Sequence, residues 1–185
     1  MGTHDLKLVI SVMAVVLAPG LWAADSQGTS ALATGPANAD RITREVRHEL
    51  VMQPYYGVFD DLRYSVNGSE VALYGRVTTP ALKDDAEKAV KRIEGVSKVV
   101  NRIEVLPLSP LDNQIRLAEY RAIYSRPGLD LYARRAIPSI HIIVAGGHVT
   151  LEGVVASKAD KDLAGVTANT VPNIFSVDNN LLVEP

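Results

Sequence analysis

From residue 40 onward the spacing of hydrophobic positions switches repeatedly between a helical and a strand period. Ile42, Val46 and Leu50 recur every four residues, the stripe of an amphipathic helix, with Asp40 placed as its N-cap and Gln53-Pro54 as its end. Leu62, Tyr64 and Val66 alternate with Arg63 and Ser65, which predicts a strand with one buried face. Asn67-Gly68 then marks a tight hairpin turn, because the primed turns that suit twisted strands need positive φ. Val71, Leu73 and Val77 continue on one face, with Gly75 in the same phase. Thr79-Pro80 is a cap followed by proline in the first helical turn, where its missing N–H costs nothing. Leu82, Ala86, Ala89, Val90 and Ile93 form a second helical stripe, Gly95 suits a left-handed helix stop, and Val99, Ile103 and Val105 alternate as a third strand.

The pattern then repeats. Residues 62–105 overlay 140–183 without a gap and share thirteen identities, among them Val71/Val149, Leu73/Leu151, Gly75/Gly153, Lys83/Lys161, Asp84/Asp162 and Asn101/Asn179. The matches fall on the apolar phase and the turns, so the chain holds two copies of one small unit. The second copy predicts a helix over 113–124, strands over 140–144 and 149–155 around Gly146-Gly147, a helix capped by Ser157 with Asp160 three residues on, and a last strand over 176–183. An extra stretch from Arg126 to Pro138 precedes its first strand.

Strands joined by a two-residue turn must be antiparallel, and strands separated by a helix are expected to be parallel with a right-handed crossover. The fold class is therefore α+β: two tandem αββαβ units, each a three-stranded mixed sheet with two helices packed on one face. A lone unit of this size has a marginal core, so mutual packing of the two is expected.

The N-terminus adds a compartment. Lys7, the apolar run Leu8–Ala18, Pro19-Gly20 and then Leu21-Trp22-Ala23-Ala24-Asp25 read as a secretory signal, too short to span a bilayer comfortably and expected to be cleaved after Ala23. The expected organisation is a signal peptide over 1–23, a small-residue disordered linker over 24–39, one unit over 40–107, a Pro-containing linker over 108–111, and the second unit over 112–185. The expected location is the periplasm.

Composition narrows the chemistry. Net charge is −2 with 47% hydrophobic residues, and neither repeat carries the concentrated basic face that nucleic acid requires, so no nucleic-acid partner is expected. With no cysteine there is no disulfide, thiolate nucleophile, thiolate zinc site or lipoprotein anchor. His4, His48, His141 and His148 lack local metal-ligand spacing, and no nucleophile elbow, P-loop or dinucleotide fingerprint occurs. No cofactor is expected and the chain reads as non-catalytic.

The run Gly75-Arg-Val, Ala81-Leu82-Lys83, Ala86-Glu87-Lys88-Ala89, Gly95-Val96, Val99-Val100-Asn101 and Ile103 resembles the BON domain, over residues 41–107 and again over 112–184. That family is named for bacterial osmotically inducible periplasmic and nodulation proteins. The resemblance implies a tandem, secreted binding module that associates with phospholipid membrane or cell-envelope material and serves in osmotic or envelope stress. It brings no catalytic residues to carry over.

Two stretches before the first strands are candidates for lipid contact. Tyr55, Tyr56 and Phe59 concentrate aromatics in a loop, and Arg126, Arg134 and Arg135 flank Tyr132, a combination suited to a headgroup layer. The same aromatics also suit an extension of the core or a seal between the repeats. Gly75, Gly153, Gly95, Asn101 and Asn179 read as structural positions: glycines where backbone is crowded or left-handed, and amides that satisfy buried backbone. The charged face of the first unit's second helix mixes Lys83, Lys88, Lys91 and Arg92 with Asp84, Asp85, Glu87 and Glu94, a solvated surface. Expected partners are a phospholipid surface or envelope component, with another envelope protein or peptidoglycan as the alternative from a different class.

Overall fold

A computed structural model describes residues 36–184; the expected signal peptide and the linker up to residue 35 lie outside them. The first unit runs α1 (Pro36–Val51), β1 (Asp61–Asn67), β2 (Glu70–Val77), α2 (Pro80–Lys91), β3 (Lys98–Asn101) and β4 (Glu104–Val105). The second runs α3 (Pro110–Tyr124), a short 3-10 helix (Asp130–Arg134), β5 (Ile140–Ala145), β6 (His148–Val155), α4 (Lys158–Ala168), β7 (Ser176–Asn179) and β8 (Leu182–Val183). Two tandem α+β units with mixed sheets are thus present.

In each unit the hairpin is antiparallel and the strand after the crossover helix pairs parallel to the central strand. The third strand is broken in two, unlike the single strand expected. Asn101 is the cause in the first unit: its Oδ1 accepts the Ile103 N–H at 3.0 Å, while its Nδ2 donates to the Lys83 carbonyl at 3.1 Å and to Glu87 Oε2 at 2.9 Å. This side-chain turn replaces a ladder partner and swings Ile103, 1% exposed, into the core. Asn179 repeats the device with Lys161 and Leu181.

Three sequence expectations shift in detail. α1 begins at Pro36, so Asp40 lies inside the helix instead of capping it. α3 begins at Pro110, capped by Ser109, whose hydroxyl accepts the Asp112 N–H at 3.1 Å. That is the Thr79-Pro80 logic used a second time. The first hairpin turn is displaced by one residue: Asn67 pairs with Glu70, leaving Gly68 (φ +60°) and Ser69 as the loop.

Each unit has its own core. α1 and α2 pack Ile42, Val46, Leu50, Leu82 and Ala86 onto Val71, Leu73 and Val77 of β2. Ile115, Ile123, Leu129 and Tyr132 do the same against Ile140, Ile142, Val149 and Leu151. The units differ on the other sheet face. From Leu62 onward β1 alternates half-buried with exposed, whereas Ile143, Thr150 and Glu152 on the outward phase of β5 and β6 are all buried. Both faces of the second hairpin are therefore covered, which removes the alternation that one-sided burial produces.

Candidate functional site

Where the first unit meets the second, the residues between α1 and β1 turn back onto β5. The Ile142 N–H donates to the Val58 carbonyl at 2.8 Å, and the ring of Tyr56 stacks on His141 with centroids 5.4 Å apart and planes at 17°. Phe59 meets Tyr120 edge-on at 6.2 Å, and with Val58 it packs against the second core. Asp60 holds this segment in shape: its Oδ1 accepts from the Thr78 N–H and hydroxyl at 2.7 and 2.8 Å, and its Oδ2 from the Gly57 N–H at 3.1 Å.

A cleft of about 840 Å³ opens beside this junction. Its walls are Leu50 and Val51 at the end of α1, Leu62 and Tyr64 of β1, and Val154 and Leu182 of the second unit. Val51, Val154 and Leu182 are 47%, 40% and 66% exposed, so the mouth is apolar and open.

The floor is polar. Asp61, 6% exposed, has Arg63 Nε 2.9 Å from its Oδ2, an ion pair without hydrogen-bond alignment. Glu152 lies 3.9 Å from Arg76 across the units and accepts from Asn180 Nδ2 at 3.0 Å. The Tyr56 hydroxyl stands 3.4 Å from His141 Nε2. Burial pushes the Asp61 carboxyl above its ordinary range, and Glu152 adds to this while Arg63 opposes it. Burial pushes the His141 imidazole below its ordinary range, against the pull of Asp61. The floor thus offers a neutral imidazole, a phenol and two carboxylates; Tyr56 with His141 and Arg76 with Glu152 link the units, while His141 Nδ1 and Asp61 Oδ2 have no hydrogen-bond partner among the described residues. The lining contains no serine, lysine or cysteine that a base could activate, and among the described residues no group of three or more His, Asp and Glu is placed to hold a metal.

The residues expected to touch lipid are divided by the structure. Tyr132 turns inward: it is 6% exposed, its hydroxyl donates to Asp160 Oδ2 at 2.9 Å and accepts the Ala156 N–H at 2.8 Å. It is a core residue that braces the start of α4 and does not share a surface with the arginines. Tyr56 and Phe59 seal the junction, while Tyr55 is 66% exposed. Arg126, Arg134 and Arg135 remain exposed, as does Leu131 of the same segment, with Arg134 paired to Asp130 at 3.2 Å.

Gly75 and Gly153 lie where the chain crosses itself. Both have φ +118°, and a Cβ there would come within 2.0 Å of the Asp61 and Ser139 carbonyl oxygens respectively. Gly95 has φ +86° beside Arg41, whose guanidinium donates to the Glu94 carbonyl at 2.7 Å. Asp61, His141, Glu152 and Leu182, which build the cleft, escape sequence reasoning. The available signal was that β1 and β5 carry charged or polar residues at their outward phase, but which of them meet depends on how the units dock.

A family model described as the BON domain matches residues 38–107 and 129–185. Osmotically-inducible protein Y of Escherichia coli (strain K12) is 31% identical over 124 residues, covering 65% of this chain and 61% of that protein. The match therefore spans less than two thirds of that relative. Among solved structures, the C-terminal domain of CdsD, a structural protein of the Type III secretion system of Chlamydia trachomatis, is 13% identical with a TM-score of 0.28, covering 77% of this chain and 96% of that one. A second CdsD structure has the same identity and score, covering 78% and 93%. At that score the superpositions carry no argument.

Proposed function

The chain belongs to the BON-domain family, and on that footing we propose that it is a non-catalytic binding protein of the bacterial periplasm, serving in osmotic or envelope stress, that holds its ligand in the cleft between its two repeats. The cleft carries this reading: an open apolar mouth above a partly paired polar floor, with walls drawn from both repeats, has the shape and lining of a ligand site. The name of the Escherichia coli relative supports the stress role, and the short apolar run before Ala23 supports export. Duplication also has a physical use here, because the wall of the cleft draws on both units and neither could form it alone.

The test is sedimentation of the full chain with a bacterial envelope fraction. Leu182→Glu together with Val154→Glu places two charges in the mouth at exposed positions, so the fold tolerates them. Capture is expected to fall about tenfold or more, since a charge facing an apolar ligand costs at least 1.4 kcal/mol. Unchanged capture removes the cleft from the reading.

A second reading has its own observation: Arg126, Arg134 and Arg135 are exposed on the same segment as Leu131, which is 46% exposed. Such a group suits phospholipid headgroups. Each basic residue near an anionic surface contributes about 1 kcal/mol, so Arg134→Glu with Arg135→Glu lowers partition onto anionic vesicles by about tenfold or more at low salt. Equal partition of both chains eliminates this site. Sedimentation with purified sacculi, run in parallel, addresses a peptidoglycan partner.

A further inference from the structure

The two sheets differ along one edge. The pair that closes a two-residue hairpin is hydrogen-bonded, and bonded and non-bonded pairs alternate from there. Asn67–Glu70 and Ala145–His148 close the two hairpins. Leu62, Tyr64 and Val66 of β1, and Ile140, Ile142 and Val144 of β5, therefore aim their backbone N–H and C=O groups away from their partner strands.

In β5 the outward groups are covered. The Tyr124 hydroxyl donates to the Ile140 carbonyl, the Ile142 N–H reaches Val58, and the Arg116 guanidinium donates to the Val144 carbonyl at 2.7 Å. Such covering is how a folded protein protects an edge from added strands. In β1 the equivalent Tyr64 N–H and Val66 carbonyl have no partner among the described residues. The helix residues that cap β5 are also missing: in register with Ile42/Ile115 and Leu50/Ile123, Arg116 and Tyr124 stand where α1 has Thr43 and Val51. The uncapped part of β1 borders the cleft, which Leu62 and Tyr64 help to line.

We propose that this edge takes an extended segment of another polypeptide as an added strand. The inference rests on the cleft reading and names its ligand class. Outward groups recurring every second residue along a strand match only another extended backbone, whose alternate side chains would then reach Val51, Val154 and Leu182. Arg47 is exposed at the rim with Arg44 next to it on α1, and Arg63 opposite is paired with Asp61, so a segment with an acidic flank fits better than a second copy, which would bring the same arginines together.

The probe is a synthetic peptide of alternating valine and serine with glutamate at both ends, titrated into the full chain. Two N-methylated versions remove the N–H groups of one phase or the other. One version is expected to bind about tenfold more weakly and the other nearly as well as the parent, because only one phase faces β1. In hydrogen exchange, the Tyr64 amide becomes protected when peptide is added, whereas the Ile142 amide is protected throughout. Tyr64→Pro removes the same donor without touching the β2 ladder, and is expected to weaken binding to a similar degree. The N-methyl comparison uses the unaltered chain, so it decides the matter even if that variant fails to fold. Equal weakening by both phases, no weakening by either, or Tyr64 protection through self-association without peptide each overturn the proposal. Capture that Leu182→Glu abolishes but N-methylation leaves untouched overturns strand pairing alone and leaves the cleft standing.

Discussion

Gly153→Ala, and Gly75→Ala in the other unit, will each lower the stability of the fold by about 3–5 kcal/mol, the sum of a forbidden backbone conformation and a steric overlap. At φ +118° an L side chain is strained whatever space it finds, and here there is none. The added Cβ would sit 2.0 Å from the Ser139 oxygen in one unit and the Asp61 oxygen in the other, both backbone atoms. In the second unit that oxygen also accepts the Val154 N–H at 3.2 Å, so moving it away breaks a ladder bond. The glycines fall opposite Leu62 and Ile140, where the first strand enters the sheet, and in the gap between the two halves of the broken third strand. At this size about 2–4 °C of melting temperature is lost per kcal/mol, so each variant should melt roughly 10 °C lower. Gly146→Ala is the control: it has φ +58° with nothing within 4 Å of the added atom, and should cost about 1 kcal/mol. If urea unfolding gives the Gly153 and Gly146 variants equal losses, the crowding argument fails.

Gly75 and Gly153 also mark how far the sequence could be read. Their offset of 78, shared with Val71/Val149, Leu73/Leu151 and Asn101/Asn179, was visible as a repeat, and the alternation around them predicted the strand order and the helical face. Those features are local: an apolar period of two or four residues reports on one face of one element, and Thr79-Pro80 reports on one cap. The break in the third strand was less visible, because Asn101 keeps the parity of Val99 and Ile103 while changing who pairs with whom. The choice between core and surface for Tyr132 is not legible locally for a related reason. Its neighbours Arg134 and Arg135 are polar and exposed, but a 3-10 turn brings i and i+3 to one side, so Tyr132 points away from the face that Leu131 and Arg134 share. The cleft was the least visible, since it depends on docking between units. Tyr56 and His141 are 85 residues apart, and nothing in either local pattern states that they stack.

The asymmetry between the repeats is where a functional difference resides. The halves share a fold but divide the labour at their first strands: β5 is covered by Val58, Arg116 and Tyr124, and β1 is left open beside the cleft. A covered edge makes the second unit a rigid support against which the first can be held. Asp112 strengthens that support. It is 1% exposed, and its carboxylate accepts the Gly146 and Gly147 N–H groups at 2.9 and 2.8 Å, tying α3 to the tip of the second hairpin. Burial opposes ionisation there, but the two glycine amides, the Ser109 hydrogen bond and the nearby Arg116 together hold the carboxyl below its ordinary range.

Glu119 gives the second large expectation, with the opposite sign: Glu119→Leu will stabilise the protein, and the gain will grow as pH rises. Ile115, Glu119 and Ile123 occupy the stripe that Ile42, Val46 and Leu50 occupy in the first unit, so a carboxyl stands where the other core has valine. Glu119 is 0% exposed, and neither of its carboxyl oxygens has a hydrogen-bond partner among the described residues. Burial alone raises its carboxyl from 4.5 to about 8. A carboxyl raised in the folded state favours folding while it keeps its proton and opposes folding as it loses it. Its contribution is intact below pH 4.5, the unfolded value, and is lost progressively as pH climbs through about 8. The wild-type chain should therefore lose stability between these limits, while Glu119→Leu should be flat across the same window apart from other groups. Replacing a buried, unpartnered ionisable group by a side chain of similar volume is expected to gain about 1–2 kcal/mol at pH 5, where mainly the unmet hydrogen bonds of the neutral acid are removed, and about 3 kcal/mol more at pH 8, since each pH unit between the unfolded and folded values is worth about 1.4 kcal/mol. Urea unfolding of both chains at the two pH values measures this directly. Parallel pH dependence in the two would mean that Glu119 finds water or a partner in solution, and that the second core is less tightly closed than its packing indicates.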